Sequence, residues 1–414
     1  MILKEGNYMH PSTYIHTLIW ALDVRALDPS LRAENQDPSR QILGNLSSLD
    51  RLLPVWIIVA MAAGVLLGYA VPTIGSDINS LQIESVSLPI AVGLIWMMYP
   101  PLAAVNYYEI GKVKTAKKMM SLSVILNWFI GPFLMFGLAW LLLPDLPLLR
   151  EGIIMVGLAR CIAMVLVWNM LAGGDNEYAA IIVALNAAFQ IAFYSIYAYF
   201  FITVLPVWIN PSASATVVNV SPWTIARSVA VFLGVPFAMG IVTRYSLQER
   251  KKEENWYESR FLKKLKPTAL IGLLFTLVIM FSLQGRYFVQ LPLELVRVAI
   301  PLVVYFAIMF VASFILSWKL KFTYEETVTT SFTAASNNFE LAIATAAAVF
   351  GLTSSQAFAT TVGPLIEVPV MIGLVYVALW FKPRLFKIIA QRPVEKESRP
   401  KLVTESTSTN RKEV

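Results

Sequence analysis

The sequence predicts an all-α polytopic membrane protein with ten transmembrane helices, arranged as two inverted five-helix repeats. Three observations carry this prediction. The 414 residues are 57% hydrophobic and only 14% charged, where a soluble globular chain carries about 25% charged residues. The apolar residues fall into ten runs, each near the roughly 20 residues needed to cross a bilayer. Several of those runs coincide when the chain is shifted along itself by about 178 residues.

Composition also excludes function classes. The net charge of +7 sits in short loops between apolar runs, so it fits orientation in a membrane rather than nucleic-acid binding. A single cysteine excludes an intrachain disulfide and any multi-cysteine metal site. The two histidines, His10 and His16, lie near the start, which argues against a zinc or copper site in the membrane. There is no GxxxxGK[ST] loop for ATP, no GxSxG and no HExxH, so neither a nucleotide-driven pump nor an intramembrane hydrolase is expected.

In chain order, residues 1–50 are mixed polar and read as a cytosolic N-terminal arm; the apolar run at 14–22 is too short to span. The expected spans are 54–72, 88–108, 119–143, 151–172, 178–205, 224–243, 267–284, 295–317, 327–350 and 356–381. Residues 51–205 form the first five-helix repeat, 206–223 an outer connection and 224–385 the second repeat. The charged, Ser/Thr-rich residues 386–414 read as a disordered cytosolic tail. The connections at 72–87 and 206–223 carry no Lys or Arg. The connection after the second span carries Lys112, Lys114, Lys117 and Lys118, and the one after the sixth begins at Arg244 and is strongly basic. The positive-inside rule then places both termini in the cytosol, with Arg150, Arg286 and Arg297 as mild exceptions on the outer side.

The internal shift aligns PIAVGLIWMM from Pro89 with PTALIGLLFT from Pro267. It also sets Cys161 opposite Glu340, and matches the helix-ending glycines Gly173 and Gly351 within one residue. Five spans per repeat is odd, so the second copy must run through the membrane upside down. Inverted repeats of this kind build secondary transporters with the site at the repeat interface.

The fourth span holds the chain's one cysteine beside an arginine, Arg160-Cys161. A free cysteine is most often a small buried hydrophobe. A neighbouring cation favours the thiolate, a nucleophile and a ligand for soft elements, although consecutive helical residues point about 100° apart. In the ninth span, residues 336–340 read Ser-Asn-Asn-Phe-Glu between Ala/Thr-rich stretches. That pattern predicts a discontinuous helix whose freed backbone groups face protein or a water-filled cavity. Hydrogen-bonding glue between helices accounts for the Asn and Ser residues but poorly for Glu340. Glu367 lies between Pro364 and Pro369. A carboxyl kept from water can take and give a proton near neutral pH, so both glutamates are candidates for proton coupling.

Weaker polar candidates are Asn127-Trp128, Trp168-Asn169 about two turns after Cys161, and the pair Asn186 and Gln190 one turn apart. For each of these Asn residues, helix-to-helix glue is the leading reading. Residues 97–101, Met-Met-Tyr-Pro-Pro, are expected to break the second span. Trp140 and Trp223 read as interfacial anchors, and Arg244 as a simple positive-inside residue.

With these motifs in view, the chain resembles the arsenical-resistance arsenite efflux permeases of the bile acid/arsenite/riboflavin transporter superfamily. The resemblance covers about 50–385 and is carried by MMYPPLAAV from Met97, LNWFIGP from Leu126, GLARCIAMVLVWNMLAGGDN from Gly157, ASNNFELAIA from Ala335 and GPLIEVPV from Gly363. The arm and the basic connection after the sixth span resemble the fungal branch. The resemblance implies broken, crossing fourth and ninth helices. It implies export of arsenite, and in some members antimonite, in exchange for protons, with no cofactor and no ATPase subunit. Residue by residue, it implies that Cys161 binds As(III), that Arg160, Asn127, Trp168, Asn186, Asn337 and Asn338 line the substrate site, and that Glu340 and Glu367 couple transport to protons. Asn186 is the least secure transfer, because VALNAAFQ departs from the hydroxyl that often follows this Asn in the family. A plasma-membrane location is expected. The competing readings are a sodium-coupled organic-anion carrier, with sodium-dependent uptake and no need for Cys161, and a sensor that binds a thiophile without moving it.

Overall fold

The computed structural model describes residues 52–71, 73–83, 86–107, 117–209, 220–250 and 256–386. The arm expected at 1–50, the part of the sixth connection at 251–255 and the tail from 387 onward lie outside the described residues. Apart from a two-residue antiparallel hairpin that pairs Gln82 with Ser87 and Ile83 with Val86, the described chain is helical.

Among the described residues, seven helices are long and apolar enough to cross a membrane. They are α1 (Leu53–Ala70), α3 (Lys117–Leu142), α6 (Asn176–Ile209), α7 (Pro222–Leu247), α8 (Tyr257–Gln290), α9 (Pro292–Lys319) and α12 (Ser355–Leu385). Between them lie α2 (Leu88–Ala104), the half-helices α4 (Pro147–Leu158) and α5 (Met164–Leu171), and the half-helices α10 (Tyr324–Ala335) and α11 (Phe339–Phe350). The outer faces of the long helices stay apolar, with Leu141, Trp208, Leu66 and Trp223 exposed. Their inner faces bury one large core, with two smaller clusters around Ala103 and Val105. An exposed apolar rim around a packed interior is what lipid requires and water forbids.

Two sets of contacts organise the bundle. In one, α8 packs on α1 and α2, and α7 on α2. In the other, α3 packs on α4 and α9, α9 on α10 and α12, and α12 on α4 and α11. Small residues permit the closest approaches. A Cβ added at Gly152 would fall 2.4 Å from the Gln356 carbonyl, which fixes α4 against the start of α12.

Helix ends follow local sequence. Asp175 caps α6 by accepting from the amides of Glu177 and Tyr178, Ser354 caps α12, and Thr323 with Glu326 forms a reciprocal capping box on α10. Gly173 (φ 73°) and Gly351 (φ 98°) follow α5 and α11 with positive φ, a backbone conformation that favours glycine.

The expected break of the second span does not occur. α2 runs through Pro100 and Pro101 to Ala104. Its terminal carbonyls at Leu102 and Ala103 accept hydroxyl hydrogen bonds from Tyr107 and Tyr257, each at 2.9 Å. These are carbonyls of the helix end; the prolines instead take a donor from the carbonyls of Trp96 and Met97 four residues earlier, a loss the helix sustains without breaking. Arg244 also differs from expectation. It is fully buried, pairs with Glu258 at 3.2 Å and lies over the Tyr257 ring at 4.8 Å. Its stem is packed where α7 and α8 begin to converge, so loop charge alone did not place it.

Candidate functional site

Two helix interruptions meet at the centre of the second contact set. Ala159–Ala163 separate α4 from α5, and Ser336–Asn338 separate α10 from α11. Arg160 and Asn337 form an isolated antiparallel bridge. The Asn338 amide donates to the Ala159 carbonyl at 3.1 Å. The Asn337 side chain donates to the carbonyls of Val156 (2.8 Å) and Ala159 (3.0 Å), which are the carbonyls released at the end of α4. Helix ends leave such groups unsatisfied. In a dry interior each interruption therefore satisfies the other.

Arg160 is completely buried. Its backbone N–H donates to Gln190 Oε1 at 2.9 Å, and Gln190 Nε2 donates back to its carbonyl at 3.0 Å. Its guanidinium donates to the Tyr305 hydroxyl at 2.8 Å and to the Gly157 carbonyl, while Nε has no partner. Among the described residues no carboxylate lies within 4 Å of it. Tyr305 and Gly157 thus hold the cation. Cys161 Sγ instead accepts the Val165 amide at 3.3 Å, one of the first free amides of α5. Cys161 is 5% exposed and unbridged.

Asn338 does for α11 what the sulfur does for α5. Its Oδ1 accepts the Leu341 amide at 3.0 Å. Glu340 follows in the first turn of α11 at 9% exposure, and Glu367 lies midway along α12 at 4%. Glu367 Oε1 has no partner. Cys161, Glu340 and Glu367 are near enough for the two carboxyls to act electrostatically on the thiol and Glu340 on Glu367. Phe339 seals one side: a Cβ on Gly363 would fall 1.7 Å from its ring.

The remaining predicted residues separate into two groups. Asn127 and Trp128 lie on a turn of α3 widened at Leu126–Ile130, a feature often found at functional sites. Asn127 Nδ2 donates to the Ser123 carbonyl at 2.8 Å, and Trp128 Nε1 donates to Asn186 Oδ1 at 3.0 Å. The second contact holds α3 to α6, as the glue reading expected for Asn186, whereas the first stays within α3. Yet Asn127 Oδ1, Asn186 Nδ2, Asn337 Oδ1, Asn338 Nδ2 and Trp168 Nε1 all remain buried without partners. Such a concentration of orphaned polar atoms is costly in a native interior and calls for a ligand or water. By contrast Asn169 is satisfied by Asn176 (3.0 Å) and Thr329 (2.9 Å) and serves the fold. Sequence reasoning missed Tyr305 and underrated Gln190, both fully buried. A lone Tyr or Gln in an apolar helix carries no signal until its distance to Arg160 is known. Among the described residues no group of three or more His, Cys, Asp or Glu side chains could hold a metal ion.

Residues 91–291 match the Sodium Bile acid symporter family. The Arsenical-resistance protein Acr3 of Corynebacterium glutamicum is 49% identical over 352 residues, 85% of this chain and 94% of that protein. The Arsenical-resistance protein Acr3 of Alkaliphilus metalliredigens is 31% identical over 341 residues, 80% and 92% of the two chains. An uncharacterized transporter of Synechocystis is 34% identical over 382 residues, 86% and 96%. With nearly full-length relatives at this identity, the chain belongs to the arsenical-resistance arsenite efflux permease family and is a membrane transporter rather than an enzyme.

Proposed function

We propose that this protein exports arsenite from the cytosol in exchange for protons. The observation that supports it most is the position of the chain's one thiol, buried where two helix interruptions meet and within electrostatic reach of two buried carboxyls. Arsenite at neutral pH is mostly the uncharged trihydroxide, and As(III) is thiophilic. The Cys161 thiol exchanges for one hydroxide: an S–As bond forms, an As–O bond breaks, and the thiol proton leaves with the hydroxide as water. One sulfur holds the metalloid without trapping it. The unpartnered Asn337 Oδ1, Asn338 Nδ2 and Asn186 Nδ2 suit the two remaining hydroxyls. Arg160, Trp168 and Asn127 complete the wall. Antimonite shares this chemistry and is the natural second substrate.

Protonation of Glu340 or Glu367 from the outer side weakens the bound state and permits release; their deprotonation towards the cytosol resets the carrier. No ATPase subunit or cofactor enters the cycle. The ten-span, inverted-repeat architecture is supported by the way contacts pair. The first span packs on the seventh as the second does on the sixth, and the third on the fourth as the eighth does on the ninth. In this arrangement one bundle rocks against the other around a fixed site. Loop charges support cytosolic termini, and export from the cytosol calls for a place in the plasma membrane.

The test is arsenite flux into inside-out vesicles under an imposed pH gradient. An acidic lumen should drive uptake, and Glu340→Gln and Glu367→Gln should each reduce driven flux about tenfold or more. An unchanged rate removes that residue from the cycle. Flux that follows sodium moves the chain to the organic-anion carriers, and binding without flux makes it a sensor.

A further inference from the structure

A third buried carboxyl lies outside the site just described. Glu151 is 6% exposed near the start of α4 and accepts a hydrogen bond from Gln356 Nε2 at 2.9 Å. It also lines a shallow cleft with Trp140, Arg150, Phe201 and Pro206, between α3, α4 and α6. In the orientation adopted above, this is the outer end of the bundle. A carboxyl buried in a membrane protein is expensive, and it marks a functional route more often than a structural accident.

The partner of Glu151 begins a polar stripe. Gln356, Thr360, Gly363 and Glu367 recur on α12 at spacings of four, three and four, which keeps them on one helix face. Gln356, Thr360 and Glu367 are all buried. The Thr360 hydroxyl donates to Ala357 O at 2.7 Å, and its oxygen retains acceptor capacity. Pro364 has no N–H, so the Thr360 carbonyl loses its ordinary helical donor. At the inner end stands Glu367 with Oε1 unpartnered. Between Thr360 and Glu367 the Phe339 ring lies flush on Gly363, and Phe339 is the chain neighbour of Glu340.

We propose that Glu151 is the outer proton-transfer group of the exchanger, passing protons along the Gln356–Thr360 face of α12 to Glu367, with Phe339 closing the route until the central site rearranges. The step moves a proton from outer water to the Glu151 carboxylate and from there inward; no bond other than O–H is made or broken. The surroundings of Glu151 set its charge balance. Arg150 is its chain neighbour and lies over the Trp140 ring of α3 at 3.9 Å. α6 presents Tyr194, whose hydroxyl donates to Met155 O at 3.1 Å and reaches Thr345 of α11. α12 presents the neutral Gln356. At the outer end of α9, Arg297 pairs with Asp145 and has Glu294 within electrostatic reach.

This inference rests on proton exchange, so the experiment separates the two. Arsenite flux is measured in inside-out vesicles as a function of lumenal pH, and arsenite protection of Cys161 from maleimide labelling reports binding. Wild-type flux should rise as the lumen is acidified. Glu151→Gln, which can still accept from Gln356, should lose about tenfold of the acid-driven flux while arsenite still protects Cys161, and Glu151→Asp should restore the response. A wild type indifferent to lumenal pH defeats the exchange mechanism and this inference with it. A responsive wild type with an unchanged Glu151→Gln profile defeats the inference alone. If Glu151→Gln loses arsenite protection, Thr360→Val carries the test, since it keeps the shape and removes the hydroxyl. An unaltered pH profile in that variant overturns the route.

Discussion

The two helix interruptions face the same backbone problem and solve it with different atoms. Where α5 starts, a sulfur accepts a free amide: Cys161 Sγ from Val165. Where α11 starts, an amide oxygen does: Asn338 Oδ1 from Leu341. The first interruption also carries a guanidinium, held by the Tyr305 hydroxyl and the Gly157 carbonyl, while Gln190 holds the Arg160 backbone. The second carries Asn337, which reaches across to satisfy the carbonyls of its counterpart, and Glu340 one residue into the helix. Backbone symmetry thus leaves each half free to specialise. One half offers a soft nucleophile and a fixed cation, the other neutral hydrogen-bonding groups and a titratable carboxyl.

The most damaging way to break this pairing is Arg160→Ala. It leaves Gly157 O and the Tyr305 hydroxyl without their buried donor, and stability should fall by about 3 kcal/mol or more. Thermal unfolding in detergent measures it. Arg160→Lys should recover only part, because an ammonium cannot reproduce the fork that spans both acceptors. A wild-type melting temperature in Arg160→Ala would show that the cation does not anchor the first interruption.

Asn337→Ala attacks the same joint from the second half. It removes the side-chain donor from the carbonyls of Val156 and Ala159, which keep only the backbone amides of Ala159 and Asn338, and should cost about 1 kcal/mol. Hydrogen exchange should then rise at the amides of 338 and 165 together, since the two ends brace one another. Exchange confined to one side would mean the interruptions are independent.

Tyr305→Phe removes one acceptor of the guanidinium while keeping the ring, and should cost about 1.5 kcal/mol. It acts through Arg160, so arsenite affinity should weaken more than maximal flux. The converse pattern would place the Tyr305 hydroxyl in contact with substrate.

The smallest effect belongs to the outer pair of Arg297 with Asp145, which lies far from both interruptions. The Arg297 hydrogen bond holds the Asp145 carboxyl below its usual range. The pair's contribution is therefore present above the ordinary carboxylate range and lost as pH falls through the lowered value. Asp145 is solvent-exposed, so Arg297→Gln should shift stability barely measurably, and less still in high salt.

Much of this arrangement was legible in the sequence. The cluster at 336–340 announced the interruption between α10 and α11, because Asn and Ser between apolar stretches cannot continue a buried helix without partners. The glycines at 173 and 351 marked both helix ends. The first interruption was harder to see from local pattern, since Ala159–Ala163 contain nothing that breaks a helix by itself; the break is sustained by Asn337 from 178 residues away. The same distance hid Tyr305, Gln190 and the Glu151–Gln356 pair. Conversely, the prolines at 100 and 101 overstated their effect, because α2 runs through them to Ala104 and gives up only the two amide donors that proline lacks.

The most direct measurement is arsenite flux into inside-out vesicles under an acidic lumen, comparing wild type with Cys161→Ser. Serine keeps an acceptor near the Val165 amide but removes the soft sulfur. The account predicts pH-driven uptake in wild type and its abolition in the serine variant, with the protein still folded and inserted. Uptake that survives without the sulfur would contradict it and reduce Cys161 to a helix cap.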